Sequence, residues 1–589
     1  MFFVQQVPKK KMDKVITSAC FNTRVLSLLT RKPVIRVSAI VLSLTHSRTA
    51  GSAYSTITHS STSGKHVCNK MMTVPHIYYV SRCNSTVAQP SNAEVKLNRQ
   101  IMLTTTVQSQ LELYRSVQAS VNIVNKVAIL FNIAKVIGKC GSQCQVLEQE
   151  RERFKQGKGS VYIELLESIA ETIKGCQCRH LANVMWALGK IQEKQHRLVH
   201  ICKHEILQQD VSSFNYAEIC QILNGCANLD FKVPEIFAKF QEDILAERLS
   251  CTRGLEDQEL SGILLSYAKT NNGTKELFDY FLKEVASRNM AINGRSLADT
   301  VWSFAKKNID SDSFFSLVEG EIIRRGTSDF ENADIVKILW AFSMAGRGSV
   351  RLFYLLEGGL IQRGIDTFLN VELVEIVWSF AKRNIRNAKL FDVVEREILH
   401  RGVSDFKTHE LVIILYSFVH AKRESVNVDF IKKIEAELSL RDSKEFNIGD
   451  FNQVIWSLGR ANLSDSKLFD LAEAEVAKCN LHKVSRNGKL MLMRGFVEAQ
   501  RGSKELYQFL YSSISARDLS DLTEAQICEF VWCFSLANVE AEKLFDFLQK
   551  EILNREKYRF TRRQLSVIRK SFLRAGKGSK ELLNFVTSC

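Results

Sequence analysis

The chain has 589 residues, of which 45% are hydrophobic and 24% are charged. This balance excludes a disordered, collagen-like or coiled-coil protein, and five prolines with 28 glycines are too few for the frequent turns of an all-β sandwich. The net charge of +16 suggests a nucleic-acid or acidic-membrane partner, provided that the charge lies in the folded part of the chain.

Most of the positive charge lies in the first hundred residues. Residues 1–100 hold 14 Lys and Arg and two acids, a net charge of +12, whereas the other 489 residues hold 66 basic and 62 acidic side chains, a net charge of +4. Residues 14–36 mix spaced Arg and Lys with apolar residues, and Ser and Thr clusters follow. Such sequence is typical of organelle transit peptides. We expect residues 1–90 to be a transit peptide or a disordered basic segment, directed to the mitochondrial matrix or, alternatively, the plastid stroma.

Neither a membrane span nor a metal site is predicted. The longest apolar stretch, around 37–44, is far shorter than the roughly 20 residues of a spanning helix. The 15 cysteines form no CxxC pair, and the closest approaches to ligand spacing, at 140–144 and 176–180, have no matching second pair. We therefore expect buried free thiols, no metal and no cofactor.

The segment 91–159 shows only a faint pattern. Around 127-VAILFNIAKVIGK-139 its apolar residues recur at helical spacing. We expect this segment to form a helical N-terminal cap or a degenerate repeat.

From residue 160 onward, one motif returns at a regular interval, as in 181-LANVMWALGKIQ-192, 297-LADTVWSFAKKN-308 and 373-LVEIVWSFAKRN-384. One position of the motif, which we call the slot, holds all six tryptophans of the chain. Successive slots are roughly 38 residues apart, an interval typical of helical-repeat proteins. The slot residues are Trp186, Asn224, Leu265, Trp302, Trp340, Trp378, Tyr416, Trp456, Arg494, Trp532 and Lys570.

A second helical pattern follows each slot. It is clear in 389-KLFDVVEREILHRG-402, where the apolar residues form one stripe and the helix ends at Arg401-Gly402. Glycine suits the left-handed position just beyond a helix. A stack of such two-helix units buries a core that no single unit could form. The sequence therefore predicts an all-α fold, an α-α superhelix of about eleven 38-residue helix-turn-helix units over residues 160–589.

The period and the first-helix motif, LANVMWALGK or LADTVWSFAK, resemble the octotricopeptide repeats of organelle proteins and the related helical-repeat subunits of protist mitochondrial RNA-editing and RNA-processing complexes. The resemblance covers about three quarters of the chain. It implies sequence-selective binding of organelle RNA. Many members of this family end in a nuclease-like RAP domain, whereas this sequence ends within a repeat. We therefore expect no catalytic domain.

The slot and the residue after it have two possible roles. On a helical wheel, the slot tryptophan lies beside the apolar face, which favours packing between helices over stacking on RNA bases. The residue after the slot is Ala, Gly, Ser or Cys in all eleven units. Close helix packing and room for a base or phosphate explain this equally well.

Two other positions of the first helix are the candidate RNA surface. The fourth residue after the slot is Lys or Arg in six of eleven units, a pattern that suits phosphates but also a solvated face. The third residue before the slot varies, as one-base-per-unit recognition requires and as neutral drift also produces. The candidate RNA-binding residues are Lys190, Lys269, Lys306, Lys382, Arg460 and Arg574, with Asn183, Gln221, Asp299, Glu375 and Gln453.

These patterns predict a non-catalytic protein that binds single-stranded organelle RNA and acts in its stability, processing, editing or translation. The alternative is a protein-binding scaffold subunit of an organelle ribonucleoprotein or ribosome-assembly complex, because helical solenoids bind protein partners equally well. An enzyme is disfavoured. The histidines show no nucleophile and base spacing, and neither a Walker loop nor a Rossmann glycine pattern is present.

Overall fold

The computed structural model describes residues 92–587 except 249–253, 310, 386–387, 422–426 and 538. Within these residues the chain forms 28 α-helices and no β-strand, and helices pack against their neighbours along the sequence. The predicted all-α helical-repeat solenoid is therefore confirmed. The expected transit segment, 1–90, lies outside the described residues.

Five helices precede the first slot. They are α1 Asn92–Leu103, α2 Val107–Val117, α3 Ile123–Lys139, α4 Cys144–Lys155 and α5 Val161–Thr172. The first helices of the eleven units are α6 Cys178–Ile191, α8 Tyr216–Asn228, α10 Asp257–Lys269, α12 Gly294–Lys306, α14 Asn332–Met344, α16 Asn370–Lys382, α18 Thr408–Ala421, α20 Ile448–Arg460, α22 Arg486–Glu498, α25 Glu524–Ala537 and α27 Arg562–Arg574.

The second helices complete the units. They are α7 Arg197–Gln208, α9 Pro234–Leu245, α11 Lys275–Ser287, α13 Asp312–Arg325, α15 Val350–Arg363, α17 Ala388–Arg401, α19 Val428–Leu438, α21 Leu468–Val476, α23 Lys504–Ser512, α26 Glu542–Leu553 and α28 Lys580–Thr587, and the short α24 Ala516–Leu519 is an addition to the ninth unit. First helices of all consecutive units pack on one another, and second helices of neighbouring units approach less closely.

The first helix ends in the same way in the nine units in which the structure describes the residue six positions after the slot. The residue six positions after the slot has a positive φ, as in Asn308 (φ 52°), Asn384 (φ 55°) and Asn462 (φ 58°), and it is Asn, Gln, Asp or Gly in each case. Asparagine and glycine tolerate the left-handed conformation that ends a helix better than other residues do. The asparagine at the end of the VWSFAKKN motif therefore stops the first helix and turns the chain toward the second.

The residue after the slot is buried in all eleven units, so the packing interpretation is confirmed for this position. The closest approaches occur at two glycine pairs. A Cβ atom built on Gly189 would lie 2.7 Å from the Cα atom of Gly225, and Gly459 meets the backbone of Gly495 in the same way. First helices pack this closely because no side chain separates their backbones.

In six of the units, an arginine at or just after the end of the second helix binds the connection that precedes its own unit. Nη2 of Arg363 donates to the carbonyl oxygens of Thr327 (2.6 Å) and Phe330 (2.5 Å), and Nη1 donates to Oδ1 of Asn332 (3.2 Å). Equivalent bonds to carbonyl oxygens 33 to 37 residues earlier are made by Arg288, Arg325, Arg401, Arg441 and Arg555. We call these residues the clamp arginines. The sequence pattern predicted the glycine of the Arg-Gly pair, as at Gly402 (φ 96°), but not this role of the arginine.

Replacing Arg363 by Lys is expected to lower the free energy of unfolding by about 2 kcal/mol, because a lysine keeps the charge but cannot reach three acceptors with one planar group. Chemical denaturation of the full chain measures the loss, and hydrogen exchange should increase at 327–332. Arg351→Lys is the matched control, since Arg351 is exposed on the same helix. Equal stability of the two variants would contradict a clamp.

The ninth unit departs from the others in its core. The position five residues before the slot is Leu, Ile or Phe in ten units, but it is Lys489 in the ninth. Lys489 is buried together with Asp518 of α24, and its Nζ lies 2.8 Å from Oδ2 of that carboxylate. The same Nζ also donates a hydrogen bond of 2.8 Å to the carbonyl oxygen of Ser513. The short extra helix therefore supplies the carboxylate that a lysine in this core position needs.

Candidate nucleic-acid interface

The slot residues form a row along the first-helix layer. The rings of Trp302 and Trp340 stack with centroids 5.4 Å apart, and those of Tyr416 and Trp456 lie 5.2 Å apart. The prediction that the slot packs between helices is therefore confirmed. The packing is incomplete, however, because all tryptophans except Trp456 remain half-buried and keep part of the ring at the surface.

Helix α3 extends this row by one step before the first repeat. It packs on α6 as first helices of consecutive units do. The ring of Phe131 lies 4.7 Å from that of Trp186, and Nζ of Lys135 lies 4.8 Å from the Phe131 centroid. A ring with a cation four residues later is the slot pattern, and it stands in the sequence as FNIAK. The interval from Phe131 to Trp186 is longer than the period of the repeats, because α4 and α5 both lie between them.

The fourth residue after the slot places its charge over the row of rings. Nζ of Lys190 lies 5.9 Å from the Trp186 centroid, and Nζ of Lys306 lies 6.0 Å from Trp302 and 5.9 Å from Trp340. Residues four apart on a helix lie one above the other, and a cation is attracted to the face of an aromatic ring. The rings and the cations therefore share one surface, which we call the slot face.

Four of the candidate lysines are exposed on the slot face. Lys190, Lys269, Lys306 and Lys382 have no carboxylate within ion-pair distance in the part of the chain that the structure describes. Surrounding protein atoms partly desolvate the ammonium group of Lys269 and lower its pKa, and the charges of Lys337 and Lys190 lower it further, against the effect of Asp299. Lys190 lies two units away from Lys269, so the repulsion between these cations extends beyond neighbouring units.

Arg460 and Arg574 differ from these lysines in their surroundings. Nη1 of Arg460 lies 3.1 Å from Oε1 of Glu498, the equivalent residue of the next unit, and Arg494 bonds the same oxygen (3.1 Å) and Glu529 (3.0 Å). Burial alone would lower the pKa of Arg494, but the charges of Glu498 and Glu529 raise it. Arg574 is exposed at the end of α27, beyond these ion pairs.

The candidate base-reading residues fall into two groups. Asn183, Gln221 and Gln453 are half-buried on the slot face. Asp299 is buried, and its Oδ1 lies 2.6 Å from Nζ of Lys337, the equivalent residue of the next unit.

Glu375, one unit further along, is half-buried. Burial raises its pKa and so does the charge of Glu372, whereas Lys337 opposes the shift. The structure thus brings all these positions onto one face, but Asp299 already has a partner.

The described residues contain no group of three or more His, Cys, Asp or Glu side chains that could hold a metal ion. The described cysteines are free, and half of them are buried; burial raises the pKa of Cys178 to about 11 and that of Cys220 to about 12. No helix in the described part of the chain has the length and apolar character needed to span a membrane. Comparison with the known protein families and with curated proteins finds no match to this chain.

Proposed function

We propose that the chain is a non-catalytic protein that binds single-stranded RNA in an organelle, through the slot face. One observation carries the proposal: aromatic rings that are only half-buried and cations without carboxylate partners lie together on one face of the first-helix layer. Proteins that bind single strands combine such rings, on which bases stack, with cations that contact phosphates. A scaffold surface has no physical need for this combination.

The proposal includes the compartment and the process that the sequence indicates. The basic, acid-poor segment 1–90 supports a mitochondrial or, alternatively, plastid location. If each unit contacts one nucleotide, the bound segment has on the order of ten nucleotides. The protein would then affect the stability, processing, editing or translation of an organelle RNA by covering that segment or presenting it to other proteins.

Changing Lys190, Lys269, Lys306 and Lys382 together to Ala is expected to weaken binding to single-stranded RNA on the order of 100-fold at physiological salt. The slope of log affinity against log salt should fall by about three units, because each lost phosphate contact removes about 0.7 to 0.9 from it. Filter binding at several salt concentrations measures both. Crosslinking to RNA in the organelle should fall in parallel.

The matched control removes the same charge from the second-helix layer. Lys283, Lys432, Lys504 and Lys543 are exposed there, and their replacement by Ala should leave affinity and slope nearly unchanged. Crosslinking that survives the change of the slot-face lysines undiminished would contradict the proposed surface. Absence of RNA from the crosslinked wild-type protein would instead favour the scaffold.

The scaffold is a second candidate because the second-helix layer exposes apolar side chains. Leu317 of α13 and Tyr354 of α15 are 52% and 55% exposed, and these two helices are neighbours. Exposed apolar side chains on adjacent elements are typical of protein-binding surfaces. Both side chains belong to second helices, whereas the slot face belongs to the first helices, so the two functions do not exclude each other.

A further inference from the structure

The charges of the slot face divide into two parts along the chain. From α3 to α16, the described cations four residues after a slot, or after Phe131 in α3, have no carboxylate partner; they are Lys135, Lys190, Lys269, Lys306 and Lys382. In the eighth and ninth units the cations Arg460 and Arg494 are held by Glu498 and Glu529. The face is therefore open to anions from α3 to α16 and neutralised in the eighth and ninth units, which separate the exposed Arg574 from that first part.

We infer that the RNA backbone occupies the slot face from α3 to α16 only. Beyond α18, the carboxylate of Glu498 prevents the RNA from binding to this face. This inference rests on the proposed function and adds the extent of the site. It places Lys135 and Phe131, which lie outside the regular repeat, among the RNA contacts, and it places Arg460 and Arg574 outside the footprint.

The geometry at α3 supports its inclusion. Phe131 is half-buried against Trp186, and Lys135 stands over its ring as Lys306 stands over Trp302. Partial burial lowers the pKa of Lys135, and the charge of Lys139 lowers it further. A phosphate placed beside this cation would offset both effects, because an opposite charge favours the protonated form.

The eighth and ninth units lack the same features, and in the tenth unit the guanidinium of Arg494 lies over the half-buried ring of Trp532, 5.7 Å from its centroid. A phosphate approaching Arg460 would have to displace Glu498 at 3.1 Å, and the carboxylates of Glu498 and Glu529 repel an incoming anion. Trp456 is only 6% exposed, and the slot of the ninth unit holds Arg494 in place of a ring. Among the described slot-face residues of the eighth and ninth units, both cations are paired with carboxylates and the one ring is buried.

The experiment crosslinks the full chain by ultraviolet light to a labelled pool of single-stranded RNAs of random sequence, about twice as long as the proposed footprint, and maps the crosslinked peptides by mass spectrometry. We expect crosslinks in α3, α6, α12, α14 and α16, and none in α20, α22 or α25. Crosslinks spread evenly from α6 to α27, with none in α3, would overturn the inference and leave RNA binding intact. A wild-type chain that binds none of the pool would overturn the inference together with the proposed function.

Single variants test the two ends of the footprint. Lys135→Ala and Lys306→Ala should each lower the salt slope by about one unit, whereas Arg460→Ala should not change it. Glu498→Gln, which frees Arg460 without removing side-chain volume, should raise the slope by about one unit and add crosslinks in α20. Hydrogen exchange of each variant shows that the fold is retained. Normal binding by Lys135→Ala, or weakened binding by Arg460→Ala, would overturn the inference.

Discussion

Replacing Lys489 by Leu is expected to lower the free energy of unfolding by about 3 to 5 kcal/mol, although the substitution restores the apolar residue found at this position in the other ten units. The loss arises because the carboxylate of Asp518 would stay buried without its cation. The amide and hydroxyl of Ser515 would still donate to Oδ2 of Asp518, at 2.9 and 2.8 Å, but they carry no net charge.

The double variant Lys489→Leu with Asp518→Leu is the control, because it removes both charges. It should recover most of the stability, since a buried ion pair is often no more stable than an apolar pair of similar volume. Hydrogen exchange of the full chain at 486–519 localises the effect, because units of a solenoid unfold partly independently. A Lys489→Leu variant as stable as the wild type would contradict this account.

The second large effect is expected at Gly495, where Gly495→Ala should lower the free energy of unfolding by about 3 kcal/mol. A Cβ atom at this position would overlap the carbonyl oxygen of Ile455 and lie 2.6 Å from the backbone nitrogen of Trp456. These are backbone atoms, so a change of side-chain rotamer cannot relieve the overlap. Helices α20 and α22 would have to move apart. Thermal and chemical denaturation measure the loss, and hydrogen exchange should increase in α20 and α22.

The same substitution at Gly358 is the matched control. Gly358 also lies within a helix, α15, but a Cβ atom there meets no atom within 4 Å. Gly358→Ala should therefore stabilise the chain by about 0.5 to 1 kcal/mol, because alanine has the higher helix propensity. Effects of the same sign at Gly495 and Gly358 would contradict a role of close backbone approach.

The fold could be predicted from sequence because its main signal is local and repeated. The repeat period, the slot and the Arg-Gly pair each lie within one or two helices, and the structure has the eleven units that they predict. The clamp arginines could not be predicted in this way. Their acceptors are backbone carbonyl oxygens of the preceding unit, which carry no sequence signal of their own. Helix α3 gives only a faint signal, because its longer interval to Trp186 hides it from a search at the period of the repeats.

The sequence predicts the candidate site as a set of positions, and the structure shows which of these residues already form ion pairs within the protein. Asp299 pairs with Lys337, and Arg460 pairs with Glu498; in each case the two partners hold the same position in consecutive units. Opposite charges at one position of neighbouring units are therefore a signal that sequence could have supplied. RNA binding itself stays a prediction, which the variants above test.

The clamp arginines impose an order on the formation of hydrogen bonds between units while the chain is being synthesised. At the six connections that have a clamp arginine, the carbonyl oxygens are made before their partner arginine, which comes only at the end of the following unit, as Arg363 follows Thr327. During synthesis from the N-terminus, a newly formed unit therefore stays incompletely bonded until the ribosome has added almost one further period. In these six units, the hydrogen bonds of a connection are therefore completed about one repeat after the connection itself has been made.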